Sequence, residues 1–187
     1  MNVYDFDKTI YDGDSTVDFY KYCLKRNPRL LKYLFRQAGG FLRYTFGRCN
    51  KTEFKERFYS FLNGIDQTDE YLCDFWDIHI GKIKPWYKEK MKSDDVIVTA
   101  SPEFLIKPVM ERLGSAAVIA SLVDVSTGKY TGLNCYGQEK VSRFYTDYPD
   151  AVIEEFYSDS NSDAPLGRRA QKSFIVKGEK ICSTNWQ

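Results

Sequence analysis

Histidine is nearly missing: His79 is the only one in the chain. Mechanisms that need a histidine base or several imidazole metal ligands therefore have at most one candidate. Its neighbours Trp76, Ile78 and Ile80 suggest that His79 packs on a helix instead. The five cysteines are odd in number, widely spread and free of any C-x-x-C pair, so neither a disulfide framework nor a zinc site is expected. No run of about 18 apolar residues occurs, which removes a membrane-crossing helix. Charge of one sign is lacking too. With 27 basic against 26 acidic side chains, the net charge of +1 argues against a protein that coats nucleic acid, and any electrostatic message must be local. The first residues read as a buried strand, leaving no room for a cleaved export signal. A cytoplasmic location is the expectation.

What is present is a regular alternation. Short apolar runs at 3–6, 96–99, 117–120, 152–157 and 174–176 read as strands buried on both faces. Helical patterns at 102–113, 138–145 and 164–172 lie between the later ones. Such alternation implies an α/β fold, a doubly wound parallel sheet with helices on both faces. Residues 124–133, with Ser126-Thr127-Gly128 among β-prone neighbours, read as a hairpin. From residue 14 to residue 91 the strand signals vanish, and helices are expected near 15–26, 29–46, 52–62 and 68–82. This is an all-helical cap (14–91) inserted after the first strand of a core made of 1–13 and 92–187. Gly13 and Lys84-Pro85-Trp86 are its expected hinges.

Four polar constellations punctuate the core. Asp5 and Asp7 follow the first strand two residues apart, so they face one site while Phe6 points to the core. Close carboxylates raise the proton affinity of at least one unless a cation neutralises them. A solvated, aspartate-capped turn is the plainer alternative. The second strand ends in Thr99-Ala100-Ser101 with Pro102 opening a helix, whose unpaired amides suit phosphate oxygens; Ser101 also reads as an ordinary N-cap. Lys140 starts a later helix, a position where lysine is usually just solvated. Asp159-Ser160-Asn161-Ser162-Asp163 ends the fourth strand, where Asp163 also suits a simple cap. All four lie at carboxyl ends of strands or just before the helix leading to one, where open α/β sheets bind ligands.

This order of DFDKT (5–9), Thr99, Lys140 and DSNSD (159–163) resembles the haloacid dehalogenase superfamily, in its phosphoserine phosphatase-like branch. The resemblance implies a Rossmann-like sheet of order 3-2-1-4-5, with Asp5 and Asp159 facing each other at the switch point. It implies Mg2+ held by Asp5, Asp159 and the Asp7 carbonyl, with Asp163 behind them. It further implies attack by Asp5 on phosphorus, proton transfer by Asp7, and a phosphate held by Thr9, Thr99, Ala100, Ser101 and Lys140. Asp7 disfavours a dehalogenase, whose leaving halide needs no proton. One departure is Ser162, which stands where many relatives have asparagine; Asn161 is one residue early and receives no role. Phosphoserine or phosphatidylglycerophosphate hydrolysis, a phosphomutase and a non-catalytic binding module are the alternatives.

The cap carries a charge bias of its own. Residues 19–52 contain nine lysines and arginines and no acidic residue. On a helical wheel Arg29, Lys32, Arg36 and Arg43 oppose Leu31, Leu34, Ala38 and Leu42. Two readings follow: contact with an anionic membrane surface or a polyanionic substrate, or a solvated basic face above a buried cap core.

Overall fold

In the computed structural model, which describes residues 1–114 and 117–186, six strands form one sheet of order β3-β2-β1-β4-β5-β6. They are β1 (Asn2–Tyr4), β2 (Val96–Pro102), β3 (Ala117–Ser121), β4 (Ile153–Ser158), β5 (Ala170–Lys177) and β6 (Lys180–Ser183). The first five pair in parallel, as the alternation of apolar runs and helices requires. The sixth was not expected. It returns antiparallel along β5 after a turn at Gly178, with Val176 opposite Ile181.

Alternating side chains split the core between the two faces of the sheet. Val3, Val96, Val98 and Phe156 pack with Val141 and Phe144 of α7 (Gln138–Asp147) and Leu166 of α8 (Ala164–Gly167). Tyr4, Ile97 and Tyr157 face the other way, onto Ile106, Val109 and Met110 of α6 (Glu103–Arg112). There Tyr4, Tyr157 and Phe174 stack at 5.0 and 4.7 Å across three adjacent strands.

The regular elements between β1 and β2 are helices, α1 (Ser15–Arg26), α2 (Leu34–Thr45), α3 (Lys51–Phe58), α4 (Thr68–His79) and α5 (Pro85–Lys90), with 3-10 turns between α1 and α2, α3 and α4, and α4 and α5. Asp14 caps α1 by accepting from the Val17 amide, and Asn50 with Glu53 forms a capping box on α3. The chain enters and leaves this insertion side by side. Asp12 N–H donates to the Lys82 carbonyl and Lys84 N–H to the Ile10 carbonyl, both at 2.8 Å, flanking a Tyr11–Ile83 bridge.

Residues 122–131 do form the expected hairpin, but a minimal one: the Asp124 carboxylate accepts from the Ser126 and Thr127 amides at the turn. The arms pair only at the Val123–Tyr130 bridge, with Asp124 N–H on the Lys129 carbonyl at 2.8 Å and Thr131 N–H on the Leu122 carbonyl at 3.0 Å. Other sequence expectations are corrected. The helix expected to reach residue 172 stops at Gly167, since Ala170 already pairs with Ile153. Pro102 ends β2 and caps α6 rather than opening it. Residues 29–46 are a 3-10 turn (Pro28–Tyr33) followed by α2, which runs through Gly39-Gly40 without interruption.

Candidate active site

A cleft of about 380 Å³ opens between the carboxyl ends of β1, β2 and β4 and the underside of the insertion. Eight of the nine residues singled out from sequence line it: Asp5, Asp7, Thr99, Ala100, Ser101, Lys140, Asp159 and Asp163. Thr9, the ninth, is buried just behind and donates its hydroxyl to Asp5 Oδ2 at 3.3 Å.

Strand register explains the convergence. Tyr4 pairs with Tyr157, and the Asp5 amide donates to the Tyr157 carbonyl at 2.9 Å, so the residues just past β1 and β4 meet at one edge. The chain then coils sharply: Phe6 C=O accepts from the amides of Thr9, Ile10 and Tyr11, and Lys8 takes a positive φ of 59°. Lys84, buried at the root of the insertion, fixes this coil by donating to the carbonyls of Lys8 (2.9 Å) and Gly178 (2.7 Å).

Lys140 is the electrostatic centre. Only 2% of its side chain is exposed, and its ammonium donates to Asp5 Oδ1 at 2.7 Å and Asp163 Oδ2 at 2.8 Å. Burial alone would discharge it, but the two carboxylates outweigh burial and raise its pKa. Ser158 Oγ also donates to Asp163 Oδ2 at 2.7 Å, so Asp163 is committed to Lys140 and the β4 terminus. Burial pushes Asp5 up to about 7, opposed by Lys140 and reinforced by Asp163. Asp159, half-buried, is raised for the same first reason, with Lys8 pulling it down.

Asp7 is held from two sides. Its Oδ1 accepts from the Ser15 amide, the first of α1, at 2.6 Å, and its Oδ2 accepts from the Ser101 hydroxyl. Burial and nearby Asp14 raise its pKa while these hydrogen bonds lower it, leaving it at about 6. Thr99 Oγ1 accepts from the Ser101 amide at 3.1 Å, which shapes the end of β2 into a small concave edge.

Oxygen donors dominate the cleft floor, and its buried acids outnumber its buried cations. Among the described residues no closed cage of histidine, cysteine or carboxylate ligands exists. Asp5 and Asp159 both line the cleft, and carboxylate oxygens are the donors a hard cation that keeps part of its water shell takes.

The insertion supplies a wall that motif reading missed. Lys55 Nζ donates to the Ala100 carbonyl at 2.8 Å, and burial together with Lys51 pulls its pKa down to about 8. Lys51 sits over the Tyr136 ring at 3.4 Å, and Val17, Phe54 and Phe58 complete an apolar surround. The i,i+4 spacing of Lys51 and Lys55 sets both on one face of α3 but does not say that this face meets the cleft. His79 stacks on Phe75 at 4.2 Å and is not among the cleft residues, and Asn161 is exposed.

The family model for haloacid dehalogenase-like hydrolases matches residues 3–168. Among solved structures, a protein of unknown function from Bordetella pertussis Tohama I is similar at a TM-score of 0.75 and 19% identity, covering 92% of this chain and 87% of its own. A HAD family hydrolase from Salmonella enterica serovar Typhi follows at 0.61 and 14%, covering 90% of this chain and 59% of that one. A phosphoserine phosphohydrolase-like protein from Francisella tularensis aligns at 0.58 and 17%, covering 96% and 90%. No curated protein sequence matches significantly.

Proposed function

The chain belongs to the haloacid dehalogenase-like hydrolase family, and from that premise we propose that it is a magnesium-dependent phosphomonoesterase in which Asp5 carries the phosphoryl group. The observation that carries this reading is the buried Asp5–Lys140–Asp163 chain beside Asp7, at the floor of a cleft covered by the insertion.

Asp5 is the nucleophile; Lys140 and Thr9 fix its two oxygens so that it does not rotate during attack. Asp7 donates a proton to the leaving oxygen and takes one from water in the second half, a role suited to a carboxyl whose proton affinity lies near neutrality. Thr99, the Ala100 amide and Ser101 cradle the phosphate at the end of β2, and Lys140 balances charge on its oxygens. Mg2+, bound by Asp5, Asp159 and the Asp7 carbonyl, would supply further neutralisation of the transferring group. Asp163 keeps Lys140 charged and in place.

The same reading divides the chain into a core of 1–13 and 92–187 and a cap of 14–91 that admits substrate by moving on Gly13 and Lys84. Two lysines beside an apolar wall above the phosphate site favour an organic monoester whose leaving group bears a second anionic group. A panel of phosphate esters with and without a second acid, assayed for released phosphate with magnesium and with chelator, tests this. Metal-dependent release favouring the members that carry a second acid is the expected result. Interconversion of sugar phosphates with little free phosphate would point to a mutase, and silence across the panel would remove the phosphatase reading.

A further inference from the structure

The insertion leaves one helix face uncovered. α2 rests on its neighbours through Gln37, which accepts from the Tyr20 hydroxyl at 2.6 Å and donates to the Phe58 carbonyl at 2.8 Å, and through Gly40, where a Cβ would come within 2.8 Å of Arg57. At 3.6 residues per turn the opposite pole carries Phe35, Leu42 and Phe46, spaced i, i+7 and i+11. They are 89%, 55% and 73% exposed, and Leu31 and Leu34 extend the stripe. The apolar residues expected to form a buried cap core thus point outward. Single exposed hydrophobes need no explanation, but a contiguous stripe on one helix does.

Its electrostatic setting says what covers it. Of the nine cations in residues 19–52, Arg26 is paired with Glu70 and Asp74 and Lys51 lines the cleft, while Arg29, Lys32, Arg36, Arg43 and Arg48 are exposed along α2 and its two ends. Glu53 and Glu56 share a groove with Arg36 and Arg43 on the α3 side, but the apolar pole itself carries no acid, so a second copy docked through it would set these cations against their own copies. We propose that this face docks on an anionic phospholipid bilayer, with Phe35, Leu42 and Phe46 seated at the headgroup boundary and Lys32, Arg36, Arg43 and Arg48 on lipid phosphates. Among the described residues no helix is long and apolar enough to cross a membrane, so the protein lies on the surface rather than spanning it. The cleft stays close to this face: Phe54 lines it on one side and touches the Phe41 and Tyr44 rings of α2 at 6.3 and 5.2 Å on the other. The inference is independent of the catalytic reading.

Flotation of the intact protein with vesicles, at low ionic strength and with chelator, tests it. Recovery with vesicles holding about one third phosphatidylglycerol, but not with pure phosphatidylcholine, is expected. The double variant Phe35→Ser/Phe46→Ser should cut the bound fraction about tenfold or more, and Lys32→Glu/Arg36→Glu should do likewise. Melting temperature should stay unchanged, because the substituted side chains are solvent-facing. Protein that stays unbound with anionic vesicles, or binding indifferent to the phenylalanine substitutions, overturns the proposal. So does a dimer by light scattering that the phenylalanine variant dissociates, which would assign the face to a second copy.

Discussion

Replacing Asp5 by asparagine should abolish turnover and at the same time make the metal-free protein more stable. Asparagine has the shape of a protonated aspartic acid. Its oxygen can keep the Lys140 contact, its amide can donate to Thr9 Oγ, and Lys140 keeps Asp163 at 2.8 Å. What disappears is a buried negative charge whose pKa burial has pushed up to about 7. Raising a carboxyl from about 3.9 to about 7 costs its ionised form at most about 4 kcal/mol, which relaxation around the buried site reduces to about 2 kcal/mol. A carboxyl with a higher pKa in the folded state binds an extra proton on folding. Its favourable contribution is therefore complete below the unfolded value and is lost as pH rises through the folded value. In chelator at pH 8, Asp5→Asn should melt about 4–8 °C above wild type, and at pH 5 the gap should shrink as wild-type Asp5 takes up its own proton. Magnesium should raise the melting point of wild type and leave that of the variant nearly unchanged. Hydrolysis of an aryl phosphate should fall at least about 10³-fold. A variant that melts no higher than wild type at pH 8 without metal, or that still turns over, refutes the reasoning.

Three further outcomes follow from the same contacts. Lys140→Met leaves Asp5 and Asp163 buried without their cation, so urea unfolding should show a loss of about 3–5 kcal/mol, with hydrolysis down at least about a hundredfold. Ser101→Ala removes the hydroxyl that donates to Asp7, so the alkaline limb of the pH dependence of kcat/KM should move up by about one pH unit; a limb that stays put would separate Ser101 from the proton carrier. Gly128→Ala forces a side chain onto a residue at φ +69°, with its Cβ 2.5 Å from the Tyr59 carbonyl oxygen. A cost of about 1–3 kcal/mol and faster proteolysis of the insertion are expected.

The strands that carry the site were legible because burial on both faces writes an uninterrupted apolar run, as in Val96-Ile97-Val98. β6 was not, since Lys180-Ile181-Cys182-Ser183 is exposed along its whole length and exists only through the register of the preceding turn. Asp5, Asp7, Lys140 and Asp159 could be picked out because each follows a recognisable strand end or opens a helix. Lys55 could not: a lysine on a helix reads as solvated unless a second chain segment lies over it, and here that segment is the Ala100 carbonyl, 45 residues away. For α2 the sequence left two facings open. A wheel separates apolar from basic residues but does not say which side meets the protein; Gln37 and Gly40, neither of them hydrophobic, turned out to be the packed ones.

Placing a helical insertion right after β1 ties chemistry to closure. The Ser15 amide that holds Asp7 begins α1, and the Lys55 ammonium that holds Ala100 sits on α3, so both belong to the insertion rather than to the sheet. If the insertion swings away on Gly13 and Lys84, Asp7 loses the α1 amide that favours its ionised form, but it also loses the burial and the Asp14 charge that raise its proton affinity, and these are the larger effects. Its affinity is therefore lower while the cleft is open. Closure buries Asp7 beside Asp14 and raises that affinity, so the proton is held on Asp7 only when the leaving oxygen is enclosed with it. In the proposed reaction the cap is therefore part of the acid–base machinery as well as a selector of substrate. An Asp14→Asn variant separates the two roles, because Asp14 raises the Asp7 pKa from the insertion side. It should lower the pH at which activity declines on the alkaline side while leaving the preference among substrates unchanged.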